Sequence, residues 1–412
     1  MPFSRGPGAP RASASWLEIP ARRTGRARLA RMVSLARIPS LALLVTLVCA
    51  APARADKYAG EFLHVPAGAR AVGMGGAFTS LADDASAPYW NPAGLALLGS
   101  REILYQHAEQ FGSAVNYDYG SFTFPISKEG KRAQAIGISL IRLGVSDIPV
   151  TPDPAGLRPG IDFEDDDGDP STSLPTENNG KWDPGERLFL DSGSFRFASA
   201  NDWALLGTYA RPLGDKITAG ASLKIVYRTL PDYVGDVTAW GTGLDAGMTY
   251  TASERIRLGF VAHDFTTTYM AWDGGAREHV APSFTVGGSY DLAIAPQHAL
   301  TLALDIPFDF QGHTADQYFG VGVKTDSSGA PTGAGGLSGT FHAGAEYRYR
   351  GALALRTGMM GRDLTFGAGF HHDKIGVDYA AVFSRFFGSD ISGFNGDGNL
   401  DVTHRISGSY TF

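Results

Sequence analysis

Apolar and polar side chains alternate with a period of two along most of the chain after residue 100. In the segment 300–306, the even positions are Leu or Ile, whereas the odd positions are Thr, Ala and Asp. The same alternation occurs in the segments 217–227, 284–292, 364–370 and 375–383. Successive side chains of a β-strand point to opposite faces, so these segments are predicted to be strands. Half-buried sheets of soluble proteins show the same alternation. The composition of the polar face therefore distinguishes a soluble sheet from a membrane barrel.

The polar face of these strands is rich in Gly, Ser and Thr and carries isolated charges at Lys224, Glu346, Arg348 and Arg356. Strands of about ten residues with aromatic residues near their ends are typical of outer-membrane barrels. In such barrels the apolar side chains face lipid and the polar side chains face the lumen. The predicted fold class is therefore all-β, a transmembrane antiparallel β-barrel.

The spacing of the alternating segments indicates a barrel of fourteen strands. Their links are alternately short and mostly longer, which fits barrels with short periplasmic turns and long external loops. The segment Gln317–Lys324 could form half of a further hairpin, which would make sixteen strands if that hairpin joined the wall. The predicted strands are 101–110, 118–126, 134–143, 202–210, 217–228, 239–250, 255–263, 283–292, 298–306, 339–349, 351–359, 363–371, 374–384 and 403–412.

The first 55 residues are predicted to be an N-terminal extension and a cleaved signal peptide. Met32 offers a second start, followed by the basic Arg37, the apolar run Leu41–Val48 and the small-residue site Ala53–Ala55. This order is typical of a secretory signal peptide, and the apolar run is too short for a transmembrane helix. Cys49 suggests a lipoprotein instead, but the valine before it disfavours lipid attachment.

Composition excludes several classes of function. No other stretch reaches about 18 consecutive apolar residues, so a mature chain in a membrane would have to be a closed barrel. The formal net charge of −7 argues against nucleic-acid binding. A single cysteine excludes internal disulfides and zinc sites built from several cysteines. The chain contains no nucleophile elbow, Walker loop or zinc-protease helix motif, and we predict that it is not an enzyme.

Carboxylates cluster in the long predicted external loop 144–201. The stretch Asp162–Asp169 holds six carboxylates, and Gly180 stands where a calcium loop of the EF-hand type turns sharply. Pro175 occupies the first ligand position and no helices flank the loop, so a solvated acidic loop is the alternative. A similar stretch at 395–401 lacks the terminal acid. No cofactor is required, but Ca²⁺ could bind in the 162–186 loop, with the tentative ligands Asp165, Asp167, Asp169, Glu177, Asn179, Asp183 and Glu186.

The chain ends in a predicted strand whose apolar residues Ile406, Tyr410 and Phe412 are in phase. This pattern resembles the C-terminal signal of bacterial outer-membrane barrels. It predicts insertion by the barrel-assembly machinery, with outer-membrane lipid as the surroundings of the mature barrel.

The segment 62–98 differs from the rest because it is rich in Gly and Ala and follows neither period. Its distinctive residues are Gly68, Arg70, Gly73, Gly75, Gly76, Asp83, Asp84, Trp90, Asn91, Pro92 and Gly94. This motif resembles the N-terminal segment of the PorV/PorQ family, within the FadL-type outer-membrane superfamily. The stretches Gly344–Tyr347 and Thr403–Ser407 also look like that family.

The resemblance implies that residues 56–100 form a hatch, or plug, in the lumen of a barrel formed by residues 101–412. In FadL-type members, hydrophobic small molecules pass through such a barrel by passive uptake. In PorV-type members, the barrel instead serves type IX secretion and binds translocon or cargo proteins, which is the alternative function. Either reading places the protein in the outer membrane of a Gram-negative cell. We expect Arg70, Asp83 and Asn91 to hold the hatch in place rather than to contact a ligand.

Overall fold

The computed structural model describes residues 60–110, 113–129, 132–150, 161–163, 188–190, 196–231, 236–310, 319–321, 337–384 and 402–412. The predicted signal peptide, the tentative calcium ligands between residues 164 and 187, and the similar loop at 395–401 lie outside these residues. Those interpretations therefore stay predictions.

Fourteen strands form one closed antiparallel ring, because each strand pairs with its neighbours in the chain and the last strand pairs with the first. The predicted fold class is confirmed. The ring strands are β1 (Glu102–Gln110), β2 (Val115–Glu129), β3 (Arg132–Val150), β4 (Arg196–Pro212), β5 (Ile217–Leu230), β6 (Val237–Thr251), β7 (Ile256–His263), β8 (Ser283–Ala295), β9 (His298–Asp309), β10 (His342–Tyr349), β11 (Leu353–Met360), β12 (Asp363–His372), β13 (Ile375–Phe383) and β14 (Val402–Thr411).

The outer face of the ring is apolar and its inner face is polar or small. On β9, Leu302 and Leu304 are 43% and 50% exposed, whereas Thr301, Ala303 and Asp305 between them are buried. Exposed Leu, Ile, Val, Phe and Tyr side chains recur at alternate positions around the ring. A closed ring with an apolar outer surface is the form in which strands can span a bilayer, because every backbone group is paired. The protein is therefore an outer-membrane β-barrel.

The two rims of the barrel differ in their connections. At one rim, the links after β2, β4, β6, β8, β10 and β12 contain only two to four residues. At the other rim most links are longer, and the link between β3 and β4 runs from residue 151 to residue 195. Short turns lie on the periplasmic side of outer-membrane barrels, so the rim with long links is the external one.

Several strands extend further toward the external rim than alternation predicted. β3 continues to Val150 and β4 begins at Arg196, although the predicted strands ended at residue 143 and began at residue 202. The predicted loop after β7 contains a hairpin of Thr268–Trp272 and Arg277–Val280, which pairs with β6. These additions lack a clean apolar face in the sequence, which explains why the period of two did not reveal them.

The ring has fourteen strands rather than sixteen. Phe319–Val321 pairs with Leu337–Gly339, and the latter pairs with the external end of β9. This three-residue hairpin is an addition to one strand and does not enter the ring. A second short pair, Ile161–Phe163 with Leu188–Leu190, forms a separate two-stranded sheet within the long link after β3.

Residues 60–98, called the inner segment below, precede the ring. They form a 3₁₀ helix Glu61–His64, helix α1 (Ala69–Gly73), helix α2 (Ala87–Trp90) and a second 3₁₀ helix Pro92–Leu97. Most residues of the inner segment are buried, and their contacts are with inward-facing residues of the strands. None of the helices in the described part of the chain is long and apolar enough to cross a membrane.

Candidate functional site

The inner segment lies against glycines of the barrel wall. A methyl group built on Gly220, Gly259, Gly344 or Gly358 would come within 3.0 Å of backbone atoms of the inner segment. These four glycines belong to β5, β7, β10 and β11, so the contacts lie on several sides of the lumen. Only a residue without a side chain allows such an approach of one backbone to another. The wall therefore provides a fitted surface for the main chain of the inner segment.

Glycines of the inner segment complete this fit. Gly68, Gly75 and Gly76 have φ angles of 83°, 64° and 71°, a region that side-chain-bearing residues rarely adopt. A methyl group on Gly75 would also lie within 3.0 Å of backbone atoms of Met359. Gly73 lies directly against Gly367 of β12, since a methyl group built on it would be 3.1 Å from the Gly367 Cα atom.

An ion network fixes helix α1 to the wall. The guanidinium group of Arg70 lies 2.8 Å from Asp83, 3.1 Å from Asp84 and 3.2 Å from Glu346 of β10. Glu346 also accepts a hydrogen bond of 2.6 Å from Arg356 of β11. Both charges of the wall are buried, which would be costly without such partners. The network joins the inner segment to two adjacent strands.

The charges of the inner segment stabilise one another. Burial acts against the charge of Arg70, but the carboxylates of Glu346, Asp83 and Asp84 raise its pKa well above the usual value. Burial also acts to raise the pKa of Asp83, but Arg70 and Arg257 bring it below the usual value. Arg70 and Asp83 therefore stay ionised, and their ion pair holds two parts of the inner segment together.

The turn at Asn91 is anchored through its side-chain amide. The Asn91 Oδ1 atom accepts a hydrogen bond of 3.1 Å from the backbone N–H of Ala93, at the start of a 3₁₀ helix. Its Nδ2 group donates to the carbonyl oxygen atoms of Thr79 at 2.8 Å and of Met248 in β6 at 3.3 Å. The indole N–H of Trp90 donates to the carbonyl of Ala67 at 2.7 Å. These bonds tie the folded segment to itself and to the wall.

Two wall residues bind the inner segment although the sequence pattern did not single them out. Asp305 of β9 accepts hydrogen bonds of 2.8 and 2.7 Å from the backbone N–H groups of Phe78 and Thr79. Arg257 of β7 donates to the carbonyl of Ser80 and lies 3.6 Å from Asp83. Alternation placed Asp305 on the polar face, but its partner depends on strand register, which the sequence alone does not specify.

The last strand also contacts the inner segment. The Oγ atom of Ser407 accepts a hydrogen bond of 3.2 Å from the backbone N–H of Ala69. Arg405 donates to the carbonyl of Pro66 at 2.8 Å. Together with the preceding contacts, these bonds involve strands from β5 to β14.

An apolar cluster lies in the external half of the lumen. Phe62 and Leu63 of the inner segment are buried there among side chains of the wall and of the hairpin after β7. These surrounding side chains include Tyr117, Ile141, Leu206, Val226, Met270 and Val280. The inner segment thus covers apolar lumen surface that would otherwise be free for other apolar groups.

A cavity of about 330 Å³ lies at the external end of the inner segment. The inner segment contributes Glu61, His64, Val65 and Pro66 to its lining, and the remaining lining residues lie at the ends of β1 and β11–β14 or just beyond them. Its lining includes both apolar and charged side chains. No group of His, Cys, Asp and Glu side chains in the described ranges is arranged to hold a metal ion.

The residues of the predicted insertion signal lie on the outer surface of the barrel. Ile406, Tyr410 and Phe412 are 54%, 39% and 54% exposed. The rings of Tyr410 and Phe412 meet edge to face at a centroid distance of 5.0 Å, and Phe122 of β2 lies beside them. They form an aromatic group near the periplasmic rim, where β14 ends.

Comparison with known protein families gives one match. The uncharacterised protein family UPF0164 matches residues 45–130, which is about a fifth of the chain and includes the inner segment, β1 and β2. No curated protein sequence matches the chain.

Solved structures similar to this chain include a hydrocarbon channel and a toluene transporter. The CymD monoaromatic hydrocarbon channel has a TM-score of 0.51 at 14% identity and covers 84% of this chain and 98% of its own. The toluene transporter TbuX of Ralstonia pickettii has a TM-score of 0.48 at 17% identity, over the same shares of the two chains. At 14% identity, the likeness to the CymD channel shows a shared fold.

Proposed function

We propose that this protein is a passive outer-membrane channel for hydrophobic small molecules, gated by the inner segment as a hatch. The observation that carries the proposal is the position of the inner segment within a ring that is already closed by hydrogen bonds between strands. Its contacts with the wall are noncovalent and include a limited set of polar bonds. Because the wall does not need this segment for closure, the segment can leave its position without opening the ring of strands.

The apolar cluster in the lumen supports a hydrophobic substrate. Displacement of Phe62 and Leu63 would expose buried apolar surface of the strands. An apolar molecule could cover that surface at little cost, whereas a polar solute would leave its own hydrogen bonds unmade. The shared fold with a monoaromatic hydrocarbon channel agrees with this class of substrate.

The polar residues of the hatch motif then hold the closed state. Arg70 and Asn91 bind Glu346 and the carbonyl of Met248 in the wall, and Asp83 pairs with Arg70. Each is satisfied by partners within the protein. We therefore assign these residues to fixing the hatch and not to contact with the substrate.

A reversible cross-link between the hatch and the wall tests the proposal. Gly73 and Gly367 are in direct contact, so Gly73→Cys with Gly367→Cys brings two thiols together between the hatch and the wall. The only native cysteine, Cys49, is replaced by Ala. Uptake of radiolabelled toluene is measured in intact cells that lack other hydrocarbon channels. Oxidation should lower uptake about tenfold by holding the hatch in place, and a reductant should restore it.

The two single-cysteine variants are the matched controls, because they carry the same crowding without the cross-link. Their uptake should not respond to oxidation. Equal uptake by the oxidised and reduced double variant, with the disulfide confirmed by mass spectrometry, would show that hydrocarbon does not need hatch movement.

A PorV-like role in type IX secretion is the alternative hypothesis, because the motif from Gly68 to Leu95 resembles that family. This role predicts a stable complex with a translocon component or a secreted protein. Affinity purification from the native outer membrane separates the two hypotheses. A stoichiometric translocon or cargo partner together with absent hydrocarbon uptake would favour secretion.

A further inference from the structure

A network of polar and ionisable side chains lies on the outer surface of β1, β2 and β3. The Asp118 carboxylate is 2.8 Å from His107 and 3.2 Å from Arg142, and it accepts a hydrogen bond of 2.8 Å from the Tyr105 hydroxyl. Glu109 lies 3.4 Å from His107. With His404 of β14, which pairs opposite Glu109, these residues make up the outer polar patch: Tyr105, His107, Glu109, Asp118, Arg142 and His404.

The orientation of this patch follows from the strand period. The residues that alternate with it, including Gln106, Ala108, Tyr117 and Ile141, are buried on the lumen side. Patch side chains are instead partly exposed, from 21% for Asp118 to 55% for Glu109. The patch therefore faces the surroundings of the barrel and not the lumen.

The rest of the outer surface is different. The outward positions of β5 to β13, within their described residues, contain no Asp, Glu, Lys or Arg. The charged residues of these strands, such as Lys224, Glu346 and Arg356, face the lumen and are buried. Away from the periplasmic rim, one side of the barrel therefore carries all outward carboxylate and guanidinium groups of the described strands.

The patch lies at a depth in the membrane where contact of its ionisable groups with lipid is unfavourable in free energy. Ile103 pairs opposite Tyr410, in the aromatic group near the periplasmic rim, and His107 lies four residues further along β1. At about 2.5 Å of height per residue in a tilted strand, His107 stands roughly 10 Å above that row. An apolar band about 25 Å tall would include it. Ionisable groups at this depth usually face protein or water.

We propose that the outer polar patch is the interface through which two copies of this chain associate in the membrane. An interface with two-fold symmetry uses the same surface on both copies and needs complementary groups within that surface. The patch meets this need because it holds a carboxylate beside Arg142 and His107, and because His404 lies opposite Glu109 in the strand register.

The shape of the surface also suits a second copy. Tyr105 is 55% exposed, and its row neighbour Gly120 on β2 has open space where a side chain would be. A two-fold axis along the membrane normal between β1 and β2 would place Tyr105 of one copy over Gly120 of the other. The same axis brings His107 toward Asp118 of the second copy, since these residues also pair in one row.

A lipid headgroup fits the patch less well. The phosphates of outer-leaflet lipids call for a cluster of cations near the surface, whereas Arg142 here pairs with Asp118 and His107 lies beside Glu109. A headgroup would also have to enter the apolar band to reach His107.

Thiol cross-linking in native membranes tests the interface. Gly120→Cys places a thiol in the patch, and Gly288→Cys places one at an outward glycine of β8 as the matched control, both with Cys49→Ala. A short bismaleimide should give a product of twice the chain mass with Gly120→Cys and not with Gly288→Cys. Native mass spectrometry of the unmodified barrel should likewise show dimers.

Equal cross-linking of Gly120→Cys and Gly288→Cys would overturn the proposal, and so would a Gly120→Cys product that contains a different protein. A third contrary result would be a monomer in native mass spectra that retains lipopolysaccharide. Leu140→Cys, an exposed position beside Gly120, replaces Gly120→Cys if that variant does not fold. In a second measurement, Gly120→Trp should fill the open space and convert dimers to monomers, whereas Gly288→Trp should not. The inference does not depend on the proposed transport function.

Discussion

Single glycines decide where the inner segment can rest against the wall. Gly358 of β11 lies against the backbone of Met74 and Gly75, with less space than a methyl group requires. Gly207 of β4 faces outward, and no atom lies within 4 Å of the position that its methyl group would occupy. Both residues lie within ring strands, but only Gly358 contacts the inner segment, so Gly207 is the matched control for substitution.

We predict that Gly358→Ala displaces the inner segment. Overpacking of this kind costs about 1–3 kcal/mol, and moving the inner segment away from β11 relieves it. Limited proteolysis of the folded barrel should therefore cut within residues 60–98 faster than in the wild type.

Gly207→Ala is the control and should leave the rate of cleavage unchanged. If Gly358→Ala is cut no faster than Gly207→Ala, the inner segment does not depend on this contact.

The residues of the hatch motif were recognisable in the sequence, but their partners were not. Arg70 and Asn91 stood out by their place in a Gly-rich motif, and both are bonded in the structure. Glu346 and Asp305 were visible only as polar residues on alternating strands. Pairing them with the inner segment requires the register of strands that are more than 200 residues away in the chain.

At the scale of elements, alternation was a reliable guide wherever one face of a strand meets lipid. All fourteen ring strands were predicted from this pattern. The hairpin Thr268–Trp272 with Arg277–Val280 was missed because its strands contain only five and four residues, which is too short for a period of two to stand out in the sequence. The pattern therefore identifies long strands with one lipid-facing side and misses short additions to them.

The inner segment and the ring are separable elements, and we predict that deletion of residues 62–98 leaves an inserted barrel. The hydrogen bonds that close the ring run between strands and do not involve the deleted residues. Planar-bilayer recordings should show a larger conductance than the wild type, because the lumen loses its filling.

Heat-modifiable migration on a gel is the control for folding of this deletion. Loss of the folded band would mean that the inner segment belongs to the folding core, and the gating proposal would then fail.

At the scale of the whole molecule, closure of the ring depends on β14. This strand pairs with β13 on one side and with β1 on the other. We predict that deletion of residues 402–412 prevents stable insertion, because two strand edges would then expose unpaired backbone groups to lipid. The measurement is the amount of folded, heat-modifiable barrel in the outer membrane.

Phe412→Ala is the matched variant for this deletion. It keeps every hydrogen bond of β14 but removes the ring that contacts Tyr410 and Phe122. We expect slower assembly with an unchanged final structure, in line with a role in recognition by the barrel-assembly machinery. Normal amounts of folded barrel after the full deletion would contradict the importance of closure.

The bonds between the inner segment and β14 also constrain the order in which the molecule can assemble. Ala69 bonds to Ser407, 338 residues later in the chain, and Pro66 bonds to Arg405. The wall surface that binds the inner segment is incomplete until β14 is in place. Once the ring is closed, however, little room remains for a folded segment to enter the lumen. The segment must therefore be enclosed while the seam between β1 and β14 is still open. Pairing of β1 with β14 therefore closes the ring and encloses the inner segment in the same step. We expect this closure to be the slowest step of folding.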